Sequence, residues 1–317
     1  MIDCQLHDGT NVPALGLGTW KMSSDEAEAA VYNAIQLGYR HIDCAWIYGN
    51  EDGVGRGIAR AMADGIVTRD DLWLTSKLWN DCHRSAEVRP AIEATLNLLG
   101  IHYLDLYLMH WPIAHQHGVA RPENASGFLS LQDAPLDRTW VAMDECRASG
   151  LSRYIGVSNF NIPKLSQLTA STGIRPAVNQ VESHPFLQQR QLLEYCRENQ
   201  IAFTAYSPLG SGDRPDAMKR ENEPSLFQNE TVIRVAEGVG VSVAQLLLAW
   251  GLQRQTLVIP KSASPDNMKQ NLGAADLTLP DSAISELNAL ERGYRFVDGT
   301  FWEVDGGPYT ADWLWNQ

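Results

Sequence analysis

The strongest constraint on the fold is a regular alternation of short β-rich runs with stretches of helical periodicity. The β-rich runs occupy residues 13–18, 41–45, 72–78, 104–111, 152–159, 177–182, 201–208 and 256–261. Each run is followed by a segment in which apolar residues recur at helical spacing, a pattern that predicts parallel strands joined by helices. Eight such units close a (β/α)8 barrel, so we predict an α/β chain folded as a TIM barrel.

The helical segments have identifiable faces and ends. Five apolar positions of "EAEAAVYNAIQLG" fall on one predicted helix face, namely Ala27, Ala30, Val31, Ala34 and Ile35. Gly38 and Gly100 are predicted to end this helix and the one in "SAEVRPAIEATLNLLG", because glycine adopts the left-handed conformation of a helix C-cap at little cost. Further helices are predicted in "KLSQLTAST", "QQRQLLEYCRENQ" and "VSVAQLLLAWGLQR".

No linker or low-complexity segment divides the chain, so residues 1–317 are expected to form one barrel domain. The early "CQLHDGTNVPAL" predicts an N-terminal β-hairpin that turns at Asp8-Gly9 and covers one end of the barrel. Long irregular stretches at 112–136, 209–228 and 293–317 follow strand ends or the last helix. In TIM barrels the face where strands end carries the active site, so we place the site among these loops.

Composition limits the environment and the partners. The chain has 25 Lys and Arg against 38 Asp and Glu, a formal net charge of −13, which disfavours nonspecific binding to nucleic acid or to an anionic membrane. Five cysteines without a CxxC pair indicate free thiols in a reducing compartment. The start of the chain lacks a signal-peptide pattern, and no run approaches eighteen apolar residues. We therefore expect a cytoplasmic protein.

Ionisable side chains stand at the ends of successive predicted strands. Asp43, Lys77 and His110 end the second, third and fourth strands, and Tyr48 follows the second. Each taken alone has an ordinary structural explanation, such as a capping aspartate or a satisfied histidine. Together at one barrel mouth they favour a catalytic site.

The chemistry that suits these groups is reduction of a carbonyl. Bringing a phenol from a pKa of about 10 to near 7 takes about 4 kcal/mol. An ammonium about 4 Å away contributes on that order at an effective dielectric of about 20. Lys77 is therefore expected to lower the pKa of Tyr48, with Asp43 keeping Lys77 charged. Tyr48 would be the general acid, and His110 would orient or polarise the carbonyl oxygen.

A series of motifs carries a family resemblance: "GLGTWK", "HIDCAWIYGNE", "TSKLW", "LYLMHWP", "IGVSNF", "NQVESHP", "YSPLGSGDRP" and "IPKS". In this order, and over essentially the whole chain, they resemble the aldo-keto reductase superfamily, including aldose and xylose reductases. The resemblance implies a monomeric barrel that uses NADPH, with Asp43, Tyr48, Lys77 and His110 as its catalytic tetrad.

The resemblance also implies how the cofactor would be held. Tyr206 would stack on the nicotinamide while Ser158, Asn159 and Gln180 bond its carboxamide, and "SPLGSGDRP" would cover the pyrophosphate unless it is a plain surface turn. The implied cofactor contacts around these positions are Gly18, Thr19, Trp20, Asp43, Ser207, Leu209, Ser211 and Asp213. Asp213 is expected to clasp Lys21 across the cofactor. A Rossmann site is set aside because "GVGRGIAR" does not fit G-x-G-x-x-G.

The adenine end departs from the NADPH-preferring pattern of the family. Asn267 stands where an arginine is usual and Gln270 where a glutamate is usual, while Lys261 and Ser262 remain for the 2′-phosphate and Asn271 for adenine. Loss of a guanidinium removes a charge-assisted contact worth about 1.5–3 kcal/mol. We predict that NADPH stays preferred, but less sharply, which leaves NADH open as a second cofactor.

The predicted substrate pocket is aromatic, and its predicted contacts are Trp20, Tyr48, Trp79, His110, Trp111 and Trp302. The C-terminal "YRFVDGTFW" looks similar to sugar-reducing members of the family, so open-chain aldoses or related aldehydes are the leading substrate class. Loop residues His115, His117 and Arg121 could instead meet a phosphate or carboxylate, or simply be solvated. His115-x-His117 alone is a poor metal site, and no metal is predicted.

Two alternatives remain open. Within enzymes, the substrate could be a sugar phosphate, a keto acid or a toxic aldehyde. In a different class, the barrel could be a structural or regulatory subunit that binds NADPH with little turnover. The complete tetrad disfavours the second alternative, because a scaffold does not require all four residues.

Overall fold

The computed structural model describes residues 3–316, within which the strands alternate with helices as the sequence predicts. The strands are β1 Asp3–Gln5, β2 Asn11–Pro13, β3 Leu17–Gly18, β4 His41–Asp43, β5 Trp73–Leu78, β6 Leu104–Met109, β7 Ala114–His115, β8 Phe128–Leu129, β9 Ser152–Ser158, β10 Val178–Glu182, β11 Ala202–Tyr206 and β12 Leu257–Val258. The eight predicted barrel strands correspond to β3–β6 and β9–β12, so their prediction is confirmed.

These eight strands form one parallel sheet in the order β3-β4-β5-β6-β9-β10-β11-β12. The two outer strands meet through parallel bridges that pair Leu15 with Val258 and Gly18 with Lys261, which closes the sheet into a barrel. Closure requires a glycine at position 18, since a Cβ there would lie 2.8 Å from the carbonyl oxygen of Ile259. Gly18 therefore allows the first and last strands to approach each other closely.

The helices are α1 Ser24–Leu37, α2 Glu51–Ala63, α3 Ser85–Leu99, α4 Leu136–Ala148, α5 Ile162–Thr172, α6 Arg190–Glu198, α7 Glu230–Val239, α8 Val243–Gln253, α9 Pro265–Leu272, α10 Asp281–Asn288 and α11 Ala311–Asn316. The predicted apolar face of α1 is buried. Gly38 and Gly100 cap α1 and α3 in the left-handed conformation, with φ of 109° and 65°. Among the described helices none alone is long and apolar enough to cross a membrane; only α7 and α8 taken together, bent by 86°, reach that length and composition.

The N-terminal hairpin of β1 and β2 covers the end of the barrel where the strands begin. Asp8 and Thr10, at its turn, both hydrogen-bond the hydroxyl of Tyr154 near the start of β9. The carbonyl of Pro13 lies 2.9 Å from Nδ1 of His41, the first residue of β4. The opposite end, where strands finish, is left to the long loops.

Each long irregular stretch has some local order. Residues 112–136 contain the small antiparallel pair β7–β8. Residues 209–228 contain a 3-10 turn at Asp216–Met218, and the C-terminal stretch contains Thr300–Trp302 and α11. All three stretches contribute side chains to one cleft at the strand ends, so the barrel positions the site and the loops shape it.

Candidate active site

A cleft of about 1020 Å³ opens at the C-terminal ends of the barrel strands. Its wall includes most of the residues singled out from the sequence: Gly18, Thr19, Trp20, Asp43, Tyr48, Trp79, His110, Trp111, Ser158, Asn159, Gln180, Tyr206, Ser207, Leu209, Ser211, Asp213, Lys261, Ser262, Asn267 and Trp302. Lys77 lies behind the wall and is 1% exposed. The volume and the mixed polar and aromatic lining suit a dinucleotide together with a small molecule.

The ammonium of Lys77 is the centre of the candidate tetrad. Its Nζ lies 2.5 Å from Oδ1 of Asp43, 2.8 Å from the carbonyl oxygen of Cys44 and 3.3 Å from Oη of Tyr48. Asp43 ends β4 and Lys77 is the fifth residue of β5, and these neighbouring parallel strands bring the two side chains together. The three hydrogen atoms of the ammonium therefore have three acceptors within one buried layer.

Tyr48 reaches this layer from a short 3-10 turn, Trp46–Tyr48, directly after β4. Gly49 ends the turn with φ of 68°, which reverses the chain into α2. The ring of Tyr48 lies edge-on to that of His110, with the ring centroids 5.9 Å apart. The predicted phenol and imidazole therefore face the same part of the cleft.

His110 follows the end of β6, and its backbone nitrogen donates to the carbonyl of Leu78 at the end of β5. Its ring also meets that of Trp79 edge-on, at a centroid separation of 5.0 Å. Among the described residues, Nδ1 of His110 has no hydrogen-bond partner. A buried imidazole without a protein partner is suited to bonding a polar ligand.

Burial and charge set the protonation of the tetrad. Burial, the largest single effect, lowers the pKa of Lys77, but the charge of Asp43, the neighbouring Tyr48 and the hydrogen bond to Asp43 together outweigh it, so the net shift is upward and the ammonium persists. Burial, followed by the charge of Lys77, holds the pKa of His110 well below its ordinary value, so the imidazole is neutral. His110 is therefore a hydrogen-bonding group rather than a competing acid at neutral pH.

The pKa of Tyr48 differs in direction from the sequence-based expectation. Burial raises this pKa, while the charge of Lys77 lowers it by less, and the net direction is upward. The expected net lowering is thus not found, because removal of the phenolate from water outweighs one nearby cation. Tyr48 consequently keeps its proton across the neutral pH range and remains able to donate it.

The residues predicted around the nicotinamide are bonded to each other and to the tetrad. Gln180 Nε2 donates to Oδ2 of Asp43 at 2.7 Å, and Ser158 Oγ donates to the backbone carbonyl of Gln180. Tyr206 Oη donates to Oδ1 of Asn159 at 2.8 Å. Gln180 therefore fixes the carboxylate that holds Lys77, a link that the sequence alone does not reveal.

Asp213 and Lys21, which were predicted to clasp across a cofactor, form an ion pair, and that the pair spans a cofactor stays a prediction. Lys21 Nζ pairs with Asp213 and also donates to Oγ of Ser211 at 3.0 Å. Lys261 Nζ lies 3.1 Å from the other oxygen of Asp213, so one carboxylate joins two lysines from different loops. These two ammonium groups give the cleft a local positive region that suits a pyrophosphate or phosphate.

Four of the eight non-glycine residues with positive φ in the described part of the chain line the cleft. Lys21, Asn159, Ser207 and Ser211 have φ of 69°, 64°, 47° and 47° and all line the cleft. Side chains other than glycine adopt this left-handed region rarely, and strained residues cluster at functional sites.

The adenine-end predictions separate into two groups. Lys261, Ser262 and Asn267 line the cleft. Gln270 and Asn271 do not contribute to its wall: Gln270 Oε1 accepts from Oγ of Ser242, and Asn271 is 3% exposed. Contacts from Gln270 and Asn271 to a cofactor stay predictions.

Aromatic side chains predicted as substrate contacts line one part of the cleft, while their contact with a substrate stays a prediction. Trp302 lies between Trp79 and Trp111, with both ring-centroid separations at 5.8 Å. Trp20 lies 6.4 Å from Tyr48 by the same measure. Sequence reasoning missed Ile47, Phe296, Val297 and Phe301, which also line the cleft. Their position beside Tyr48 or within "RFVDGTFW" was the available signal.

Comparison with known proteins agrees with this geometry. A family described as "Aldo/keto reductase family" matches residues 14–292. The chain is 49% identical over 312 residues to "Aldo/keto reductase slr0942" of Synechocystis sp., covering 98% of this chain and 95% of the relative. It is 42% identical over 294 residues to "Aldo-keto reductase family 1 member A1" of Homo sapiens, covering 92% and 90%.

A solved structure, that of Bombyx mori aldo-keto reductase in complex with NADP, superposes with a TM-score of 0.85 at 37% identity. The match covers 95% of this chain and 96% of the silkworm protein. The family match, the related sequences and the solved structure therefore agree. The chain belongs to the aldo/keto reductase family.

Proposed function

We propose that this protein reduces open-chain aldoses and related small aldehydes to alcohols with NADPH, and that Tyr48 supplies the proton. At the coarser level it is an NAD(P)H-dependent oxidoreductase, as its family membership establishes. The observation that carries the finer proposal is the hydrogen-bonded series from Asp43 through Lys77 to Tyr48 at the wall of the cleft.

The choice of cofactor is supported by two observations. The silkworm relative is described in complex with NADP. In this chain Lys21 and Lys261 place two ammonium groups in the cleft wall, where they fit an anionic dinucleotide. The bound reduced nicotinamide would supply the hydride to the carbonyl carbon.

The chain's own residues account for the proton. Tyr48 Oη would donate its proton to the carbonyl oxygen as negative charge develops there. Lys77, 3.3 Å away, would stabilise the phenolate that forms, and Asp43 would keep the lysine charged throughout. Neutral His110 would add a hydrogen bond to the same oxygen without acting as the acid.

The aldose class is supported by the lining of the cleft. Its aromatic walls would pack against the carbon chain of a sugar. Among the described residues, His110 Nδ1 and Trp302 Nε1 are buried without hydrogen-bond partners, which suits a ligand rich in hydroxyl groups.

A second candidate, reduction of anionic carbonyls such as keto acids or sugar phosphates, is favoured by Arg121. This exposed side chain lines the cleft, and within residues 3–316 it forms no ion pair. A free guanidinium is a good partner for a carboxylate or phosphate.

Turnover by the purified protein distinguishes these functions. NADPH oxidation is followed with aldoses, neutral aldehydes, keto acids and sugar phosphates, and the highest kcat/KM is expected for aldoses or neutral aldehydes. Preference for the anionic compounds would favour the second candidate. NADPH binding without turnover of any carbonyl would favour the binding-subunit alternative.

We also propose that the chain acts as a monomer. Sedimentation equilibrium tests this proposal, because it gives the mass of the species in solution.

A further inference from the structure

Four potential metal ligands from three segments meet outside the cleft. Asp81 and Cys82 lie in the 3-10 turn Asn80–Cys82 that follows β5, and Glu87 lies in the first turn of α3. His117 comes from the loop after β7. None of the four lines the cleft, and the catalytic proposal does not use them. We refer to these residues as the 81–117 cluster.

The ligand atoms of Asp81, Cys82 and His117 are close enough for one ion, and a carboxylate oxygen of Glu87 lies near His117. Cys82 Sγ lies 3.5 Å from Oδ1 of Asp81 and 4.0 Å from Nδ1 of His117. The same Nδ1 lies 3.8 Å from Oε1 of Glu87. One ligand atom each from Asp81, Cys82 and His117 lie within 4.8 Å of one another. These separations approach the spacing around tetrahedral zinc, where bonds of about 2.0–2.3 Å put ligand atoms about 3.3–3.8 Å apart.

Few protein groups compete for these ligands. Within the described residues Asp81 forms no ion pair, and Oε2 of Glu87 is buried without a hydrogen-bond partner. The guanidinium that pairs with Glu87 is weakly placed, since Arg84 Nη1 is 3.9 Å from Oε1 of Glu87.

We propose that the 81–117 cluster binds one zinc ion through Asp81, Cys82, His117 and Glu87. The donors are one sulfur, one imidazole nitrogen and two carboxylate oxygens, a set that zinc accepts and that magnesium and calcium do not favour. His117, whose side chain is 61% exposed on its loop, can approach the other ligands with little rearrangement. The alternative is a plain loop contact, in which Nδ1 of His117 donates to the carbonyl of Asp81, 3.2 Å away.

Zinc at this cluster would act on the wall of the substrate cleft. Trp79 lines the cleft two residues before Asp81, and its Nε1 donates to the carbonyl of Ala120 at 2.9 Å. Ala120 is three residues after His117. An ion held by residues 81, 82 and 117 would join the two segments that this hydrogen bond already connects, and would restrain the Trp79 side of the cleft.

The test is a calorimetric titration of the chelator-treated 317-residue protein with zinc chloride. One equivalent of zinc is expected to bind to the wild type. Cys82→Ser and His117→Ala are each expected to weaken this binding by at least about tenfold, since even the partners of metal ligands contribute 10–100-fold to metal affinity. His117→Ala changes an exposed side chain, so its loss of binding is not attributable to misfolding.

Matched controls and a spectroscopic readout complete the design. Cys4→Ser and His102→Ala remove a partly buried thiol and an exposed imidazole elsewhere, and both should bind zinc like the wild type. Cobalt chloride should give a thiolate-to-cobalt charge-transfer band that is absent in Cys82→Ser. No uptake of zinc by the wild type, or equal uptake by the wild type and both ligand variants, would overturn the proposal.

Discussion

Glu51 is a buried carboxyl group next to the tetrad, and its protonation should change the free energy of unfolding with pH. It is 2% exposed at the start of α2, and it accepts a hydrogen bond from Oγ of Ser76, the residue before Lys77. Burial raises the pKa of Glu51 to about 7, against the opposing effects of the Ser76 hydrogen bond and the charge of Lys77. The folded protein therefore holds a proton that the unfolded chain releases near pH 4.5.

The sign and size of the effect follow from this difference. Between pH 4.5 and about 7 the folded state binds more protons at Glu51, so its contribution to the free energy of unfolding falls as the pH rises. At about 1.4 kcal/mol for each pH unit, the contribution falls by about 3 kcal/mol in total and is constant above that window. Glu51→Gln keeps the shape and an acceptor for Ser76 but cannot ionise.

The assay is equilibrium urea unfolding at a series of pH values from 5 to 8, monitored by tryptophan fluorescence. Relative to Glu51→Gln, the wild type should lose up to about 3 kcal/mol of unfolding free energy across this range. Glu198→Gln, an exposed control on α6, should run parallel to the wild type. Parallel pH curves for the wild type and Glu51→Gln would refute the reasoning.

Three further predictions concern the cleft. Lys77→Met should lower kcat by at least about 100-fold. It should also lower the free energy of unfolding by about 3–5 kcal/mol, because Asp43 is left buried and unpaired. Adding Asp43→Asn should recover the stability measured by urea unfolding, but not turnover. Lys261→Ala should weaken NADPH binding by about 1.5–3 kcal/mol while leaving NADH nearly unchanged in a fluorescence titration, and equal losses for both cofactors would argue against a 2′-phosphate contact. Arg121→Gln should leave kcat/KM for neutral aldehydes unchanged; a drop of about tenfold or more confined to keto acids and sugar phosphates would identify Arg121 as an anion contact.

Much of the fold could be predicted because its signals are local. The apolar face of α1 and the glycines that end α1 and α3 follow from spacing and from backbone conformation. The meeting of Asp43 and Lys77 follows once their strands are parallel neighbours, since residues at strand ends then share one edge. Tyr48 needs only the short turn after β4 to join them.

Other features depend on distances that the sequence does not contain. The direction of the Tyr48 pKa is a balance between burial and one cation, and only the structure gives the degree of burial. The bond from Gln180 to Asp43 and the 81–117 cluster join residues far apart in the chain. Gln270 shows that spacing along the sequence does not place a side chain. It was matched to a family position by spacing, but it lies outside the wall of the cleft and accepts a hydrogen bond from Ser242.

The central claim is that Tyr48 donates the proton during carbonyl reduction, and the kinetics of Tyr48→Phe test it most directly. The substitution removes one hydroxyl from the cleft and leaves the pairing of Lys77 with Asp43 in place. We predict that kcat falls by at least about 100-fold while the dissociation constant for NADPH changes by less than about twofold. A Tyr48→Phe protein that reduces carbonyls at the wild-type rate would contradict the account.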